Sequence, residues 1–241
     1  MIDNYNASTK MLLIMFFTIM ISNYGIGQTK LYPPTVKIND HSLYKFIIEL
    51  TLAIGKKDSA FVTHHMTSNM MNSFGGDGGI DEFREYWNNL DTNSDFWPLA
   101  ERFLKIGGGK YVPGSDQYVV PYSFSDWDTL NETYDPFTHS IIIGKNVNVR
   151  NSPNITNSSI IGQLSYDVVR NDWEKTASSV NEHQVIEENY TGSYQWEYIC
   201  TLDGDICGYI NWKYIMSPLD YRLGFVKVDN KWKISFLVGG D

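Results

Sequence analysis

The chain has only two cysteines, and they flank an Asp203-Gly204 pair at equal distance, Cys200 before it and Cys207 after it. Asp-Gly between two strand-like runs is a strong signal for a two-residue hairpin, because the tight turns that match strand twist need positive φ at their centre. With Asp203 and Gly204 at the turn, facing residues have numbers of constant sum. Leu202 then faces Asp205, Thr201 faces Ile206, and Cys200 faces Cys207. The spacing thus predicts paired strands over 194–202 and 205–211 with both sulfurs on one side. In an oxidising compartment such a pair closes a cross-strand disulfide. In a two-residue hairpin, however, this position is a hydrogen-bonded pair with its Cα atoms farther apart, which leaves two free thiols in contact as the alternative. The pair does not read as a metal site, since two thiolates without a nearby His or third Cys make an incomplete ligand set.

From Ile141 onward the sequence reads as strands alone. Asn146 to Arg150 alternates, Ile160 to Leu164 is short and apolar, and the chain ends in a second hairpin. That hairpin has two registers. A two-residue turn at Asp229-Asn230 pairs Val228 with Lys231. A three-residue loop pairs Val228 with Trp232 and Val226 with Ile234, and this apolar-on-apolar register is the preferred one.

The first half is helical. Leu43, Phe46, Ile47, Leu50 and Ile54 share one face of a helix over about 40–54, with Asp40 as its cap. A second helix is predicted over 59–71 behind Asp58, with Phe61, Val62, His65, Met66 and Met70 on one face. A third is opened by Asp81, with Phe83, Tyr86, Trp87 and Leu90 inward. A fourth covers 95–106 and carries Pro98 in its first turn, where a missing N–H is harmless. Tyr118, Val120, Tyr122 and Phe124 then alternate as a strand, which Pro121 confines to an edge or a bulge.

Ahead of all this, Lys10 precedes the apolar run Met11–Ile21, which is too short for a membrane span and has the length of a signal-peptide core. Cleavage is expected after Gly27, giving an exported protein, periplasmic or extracellular, with no stable membrane insertion once the signal is removed. The formal net charge of −9 disfavours nucleic acid and anionic membrane surfaces as partners.

Several of these segments carry a family likeness. Asn146-Val147-Asn148-Val149-Arg150-Asn151-Ser152-Pro153 resembles the opening of a bacterial SH3 (SH3b) domain, and Ile161-Gly162-Gln163-Leu164 its next strand. Trp196-Glu197-Tyr198, the Asp203-Gly204 turn and Gly208 to Ile215 resemble its closing pattern. The match covers roughly residues 141–217. Two features depart from the pattern: Glu197-Tyr198 stands where Lys or Val is usual, and the segment from Arg170 to Tyr194 is longer than the family's loop. The whole chain also resembles a group of exported bacterial SH3 domain-containing proteins, through Ser73-Phe74-Gly75-Gly76 and the Trp232–Asp241 tail. The resemblance implies a small SH3-like all-β barrel and export. It implies no activity.

The expected fold is therefore α+β. A signal peptide occupies 1–27. A helical region over 28–138 carries a small sheet completed by a C-terminal β-hairpin from 219–241. An SH3-like barrel over 139–218 lies between the two pieces.

Five constellations are candidates for chemistry. Trp173, Tyr190, Tyr194, Trp196 and Trp212 cluster in and around the long loop and are the best ligand-binding candidates, since aromatics around a barrel groove suit peptides or glycans. The Gly75–Gly79 segment, with Asp77 and Asp81, is a candidate anion or calcium site ahead of a helix. Asp126, Asp128, Glu132 and Asp135 lie close together, but nothing apolar surrounds them to raise a pKa, and a solvated linker is the reading. His64-His65 are adjacent, so on a helix they diverge by about 100° and do not ligate one metal. Neither a Cys/His pair nor a G-x-S-x-G segment marks a hydrolase. The expectation is a non-enzymatic binding protein, without cofactor, whose barrel contacts peptidoglycan peptide or an envelope protein. The alternatives are a cell-wall hydrolase with the barrel as targeting module, and a protein-interaction module for an extended segment.

Overall fold

The computed structural model describes residues 29–34, 38–130, 132–179 and 195–240. The expected signal segment, like Tyr190 and Tyr194, lies outside them. Two sheets account for the described chain, and the fold is α+β. Among the described residues no helix is long and apolar enough to cross a membrane.

The first half begins with helix α1 (His41–Gly55), whose Asp40 carboxylate accepts from Ser42 N at 2.8 Å and Leu43 N at 3.1 Å. Helix α2 (Ser59–His64) is capped by Asp58 at Phe61 N. It stops earlier than the sequence suggests: Met66–Met71 is a strand, β1. Helix α3 (Ile80–Tyr86) ends in a 3₁₀ turn, Asn88–Leu90. Phe83, Trp87 and Leu90 are buried as expected, whereas Tyr86 faces out and bonds the Tyr221 hydroxyl. Helix α4 (Phe96–Ile106) is followed by β2 (Lys110–Tyr111) and β3 (Tyr118–Val120). The predicted continuation of β3 to Phe124 is instead a helical turn, α5 (Tyr122–Ser125), which Pro121 introduces just past the strand.

The chain then leaves for the second sheet and returns with β11 (Arg222–Val228) and β12 (Lys231–Val238). These complete the first sheet in the order β1-β12-β11-β3-β2, with β1 parallel to β12 and β11 antiparallel to β3. One face of this sheet is covered by the helices. Leu43, Phe46, Leu50, Phe83, Phe96, Leu99 and Phe103 meet Met70, Leu223, Phe225, Ile234 and Leu237 in one buried core.

The C-terminal register corrects the expectation. Val228 faces Lys231 and Lys227 faces Trp232, so the turn has two residues, and Asp229 and Asn230 both take positive φ. Apolar matching pointed the other way because it assumed that Val226 and Val228 face the core. The inward residues are Leu223 and Phe225, and a bulge at Ser235 lets Ile234 and Leu237 both reach the core despite their odd spacing. Lys227 lies over the Trp232 ring and its ammonium reaches Asp40 and Ser42, which docks the start of α1 on the hairpin.

The second sheet has seven strands: β4 (His139–Ile142), β5 (Val147–Arg150), β6 (Ile160–Leu164), β7 (Val168–Asn171), β8 (Trp196–Thr201), β9 (Cys207–Asn211) and β10 (Ile215–Met216). Their order is β10-β4-β7-β8-β9-β5-β6, and every pairing is antiparallel. One cluster takes Ile142, Val147, Val149, Leu164, Val169, Ile199, Ile210 and Ile215, a contribution from every strand. A flat sheet cannot bring its first and last strands to one core, so this sheet is curled. The region is not all-β: Trp173–Ser178 forms a short helix, α6, and Trp212–Tyr214 a 3₁₀ turn.

Cys200 faces Cys207, as the turn rule requires, and the two are joined, with Cα atoms 4.1 Å apart. The reason is a four-residue loop rather than a two-residue one. Gly204 N donates to Thr201 O, Thr201 N donates to Ile206 O at 2.9 Å, and Ile206 N turns to the Thr201 hydroxyl. That makes the next pair outward, 200 with 207, a non-hydrogen-bonded pair, where strands approach most closely.

Two stability effects follow. Replacing both cysteines by serine should cost about 2 kcal/mol in urea denaturation, the value for so short a closed loop, with the near-ultraviolet spectrum retained. Asp40→Ala should cost about 1 kcal/mol at neutral pH through the lost cap. The Asp40 carboxyl is lowered to about 2 by the Ser42 hydroxyl, with help from the Leu43 and Ser42 N–H groups and Lys227. Its contribution is present above pH 3.8, the ordinary aspartate value, and is lost as pH falls toward about 2, so parent and variant should converge there.

Candidate functional site

Strand β8 has two faces, and period two decides what each carries. Trp196, Tyr198 and Cys200 lie on the outer face. Glu197, Ile199 and Thr201 lie toward the core of the curled sheet.

On the outer face Tyr198 pairs with Tyr209 of β9, with ring centroids 5.0 Å apart and edge-on. The disulfide is the next rung along. Lys175 of α6 places its ammonium 4.6 Å from the Tyr198 ring centre. Helix α6 is held to β8 by Thr176, whose hydroxyl accepts from Tyr198 N at 2.9 Å, and its first turn is capped by Asp172. The same helix carries Trp173, which is 42% exposed and donates its indole N–H to Phe137 O. Phe137 is itself exposed. The outcome is two aromatic features on either side of α6: the Tyr198–Tyr209 pair with Lys175, which also pairs with Asp172 at 3.5 Å, and the exposed Trp173 beside Phe137.

The sequence-predicted aromatics separate. Trp173 is exposed at the start of α6, against Phe137. Trp196 is buried, and Trp212 stacks under the Arg102 guanidinium at 4.5 Å, so both serve packing. Tyr198 and Tyr209 were missed, although their numbers satisfy the hairpin sum that pairs the cysteines.

The inner face leads to a polar joint between the two sheets. Arg102 of α4 donates through Nη2 to Trp212 O at 3.1 Å and Ile215 O at 2.8 Å. Glu197, 8% exposed, accepts from Asn171 Nδ2 at 3.1 Å. Asp220, in the link from β10 to β11, accepts from Ser217 N. Burial pushes the Glu197 carboxyl up to about 8, with the charge of Asp220 adding to the rise and Arg102 opposing it. Burial also raises Asp220, against the pull of Arg102 and the Ser217 N–H. None of Arg102, Asn171 or Asp220 stands out in the sequence. Glu197 does, as a departure from the SH3b pattern and as a glutamate two residues from Ile199 on the inward side.

The glycine segment also resolves. Gly78 N donates to Glu82 Oε2 at 2.9 Å and Asn72 Nδ2 donates to Oε1 at 3.0 Å. The loop's donors are thus turned on the protein's own carboxylate, while Asp77 and Asp81 are exposed. Hydrogen bonding from Asn72, with Gly78 and Asp77 N–H, lowers the Glu82 pKa against the opposing effect of burial. Among the described residues no group of three His, Cys, Asp or Glu is placed to hold a metal ion. Asp126 pairs with Lys110 at 3.4 Å and Asp135 accepts from Phe137 N, so both have structural partners. His65 bonds Phe61 O and stacks on the Phe61 ring at 4.0 Å.

Arg102→Lys should lower stability by about 2 kcal/mol, because an ammonium cannot reproduce the stacked, planar fork. Arg84→Lys, at an exposed position of α3, should stay within about 0.5 kcal/mol; urea midpoints compare the two. The chain matches no protein-family model, no curated protein and no solved structure.

Proposed function

We propose that this is a non-enzymatic binding protein of the cell envelope, and that the curled sheet is an SH3-like barrel presenting Tyr198, Tyr209 and Trp173 to a ligand. The observation that carries the reading is the partly buried Tyr198–Tyr209 pair with Lys175 against it. Aromatic faces supply large contact area at low entropic cost, and a neighbouring ammonium suits a ligand bearing carboxylates. The likeness to SH3b domains adds the ligand class: peptidoglycan stem peptide, or another envelope component. It also favours the barrel description, to which the 3₁₀ turn before β10 and the shared core of all seven strands lend support. The disulfide and the apolar N-terminal run favour export to an oxidising compartment.

A second reading rests on β6. It ends the strand order of its sheet, and Ile160 and Ile161 are exposed on it. An edge of this kind suits strand addition by an extended segment of a protein partner.

Co-sedimentation with intact peptidoglycan separates the two. The parent chain should pellet with the polymer, and Trp173→Ala combined with Tyr209→Ala should weaken binding about tenfold or more while leaving the circular dichroism unchanged. Failure of the parent to pellet at micromolar protein removes the peptidoglycan reading.

A further inference from the structure

Asn171 and Glu197 are each only 8% exposed, and they meet through a single hydrogen bond. Asn171 Nδ2 donates to Glu197 Oε2, while Asn171 Oδ1 has no partner. A buried amide oxygen left without a donor is costly. The group beside it has a donor to give in one state only: a carboxylate is acceptor-only, whereas a carboxylic acid has an O–H. An acid facing a carboxamide satisfies both groups at once, N–H to carbonyl on one side and O–H to carbonyl on the other.

The surroundings favour the acid. Ile210 lies opposite Glu197 on β9 and Ile199 two residues along β8, and both are fully buried. The charged groups that face Glu197 are Asp220, from the link between β10 and β11, and Arg102, from α4. Arg102 already gives Nη2 to two backbone carbonyls and its face to Trp212.

We infer that Glu197 is a protonated acid in the resting protein, bonded to Asn171 as an acid–amide couple, and that loss of its proton to solvent loosens the joint between the two sheets. Deprotonation removes the donor to Asn171 Oδ1 and sets a second negative charge near Asp220, with Arg102 the cation that both carboxyls share. The joint is thereby a proton-controlled contact, tight at neutral and mildly acidic pH and weaker in alkali.

The sign is opposite to that of an ion-paired carboxylate. The folded-state value of Glu197 lies above its unfolded one, near 4.5, so the stabilisation is complete below pH 4.5 and is lost as pH rises to about 8. In that window the folding equilibrium constant should fall by up to tenfold per pH unit. Asp220 is raised too and adds a slope of the same sign, so the informative quantity is the difference between parent and variant. Urea denaturation of the full chain from pH 5 to 9 should show the fall in the parent. Glu197→Gln, which is neutral at every pH, should lack the Glu197 share of it. An unchanged slope in Glu197→Gln overturns the inference. A second measurement needs no substitution: with ¹³C-labelled glutamate, one side-chain carboxyl carbon should titrate near pH 8. If every glutamate carboxyl carbon titrates in the ordinary acidic range, the couple does not exist, whether or not the variant folds.

Discussion

The pairing of β11 with β3 is the constraint on which the rest of the structure depends. Leu223 faces Val120 across a sequence separation of roughly a hundred residues, and the whole seven-stranded sheet lies in between. The first sheet has no centre until the last hairpin arrives, since β11 and β12 are its middle strands. Closing so long a loop costs little more entropy than closing one half its length. The consequence is geometrical rather than energetic. Both ends of the intervening segment must come back to one place, and they do so at Ser123 and Met216, whose Oγ and Sδ are 3.1 Å apart. The two residues of β10 show how tight the meeting is: Ile215 enters the core of the curled sheet and Met216 that of the helical layer.

At such a meeting backbone ends collect, and their polar groups must be paired. Arg102 does this for Trp212 and Ile215, with its ring-stacked guanidinium filling the space between α4 and the 3₁₀ turn. An apolar residue there would strip Ile215 O of its guanidinium donor and leave Trp212 O with only the Ile215 N–H that closes the 3₁₀ turn. The buried carboxyls then follow. A partly buried guanidinium is favoured by negative charge nearby, and Asp220 lies on the segment that joins the two sheets on the way out. Glu197 is the surplus group, and a surplus acid in a dry place keeps its proton.

Turn chemistry was the most legible part of the sequence. The sum rule around Asp203-Gly204 placed Cys200 opposite Cys207 without any knowledge of the sheet, and Asp40, Asp58 and Pro98 marked helix starts correctly. What failed did so for physical reasons. Met66 and Met70 are four apart, which is one helical turn and also two strand periods, so spacing alone cannot separate α2 from β1. The arbiter was a parallel partner from the far end of the chain, with Ile234 N bonded to His65 O. At Asp229-Asn230 the preference of those residues for positive φ outweighed apolar matching, and a bulge restored the inward pattern afterwards. Of the accessible aromatics around β8, Trp173 on α6 was legible and the Tyr198–Tyr209 pair was not. The joint was legible only at Glu197, which stands out beside Trp196; Arg102, Asn171 and Asp220 come from three other, distant segments and none of them is unusual in its own.

Strand register ties these features together. Side chains alternate, so a slip of one residue between β8 and β9 would send Tyr198 inward and Glu197 into solvent. It would strip the outer face of its tyrosine and the joint of its acid in one step. The hairpin loop resists such a slip through the Thr201 hydroxyl and backbone bonds to Ile206, and the disulfide forbids it, since Cys200 reaches only the residue directly opposite. On this view the cross-link contributes more through register than through its modest effect on stability. It holds the strand whose outer side offers aromatic surface and whose inner side carries a buried acid, and neither side can be moved without the other.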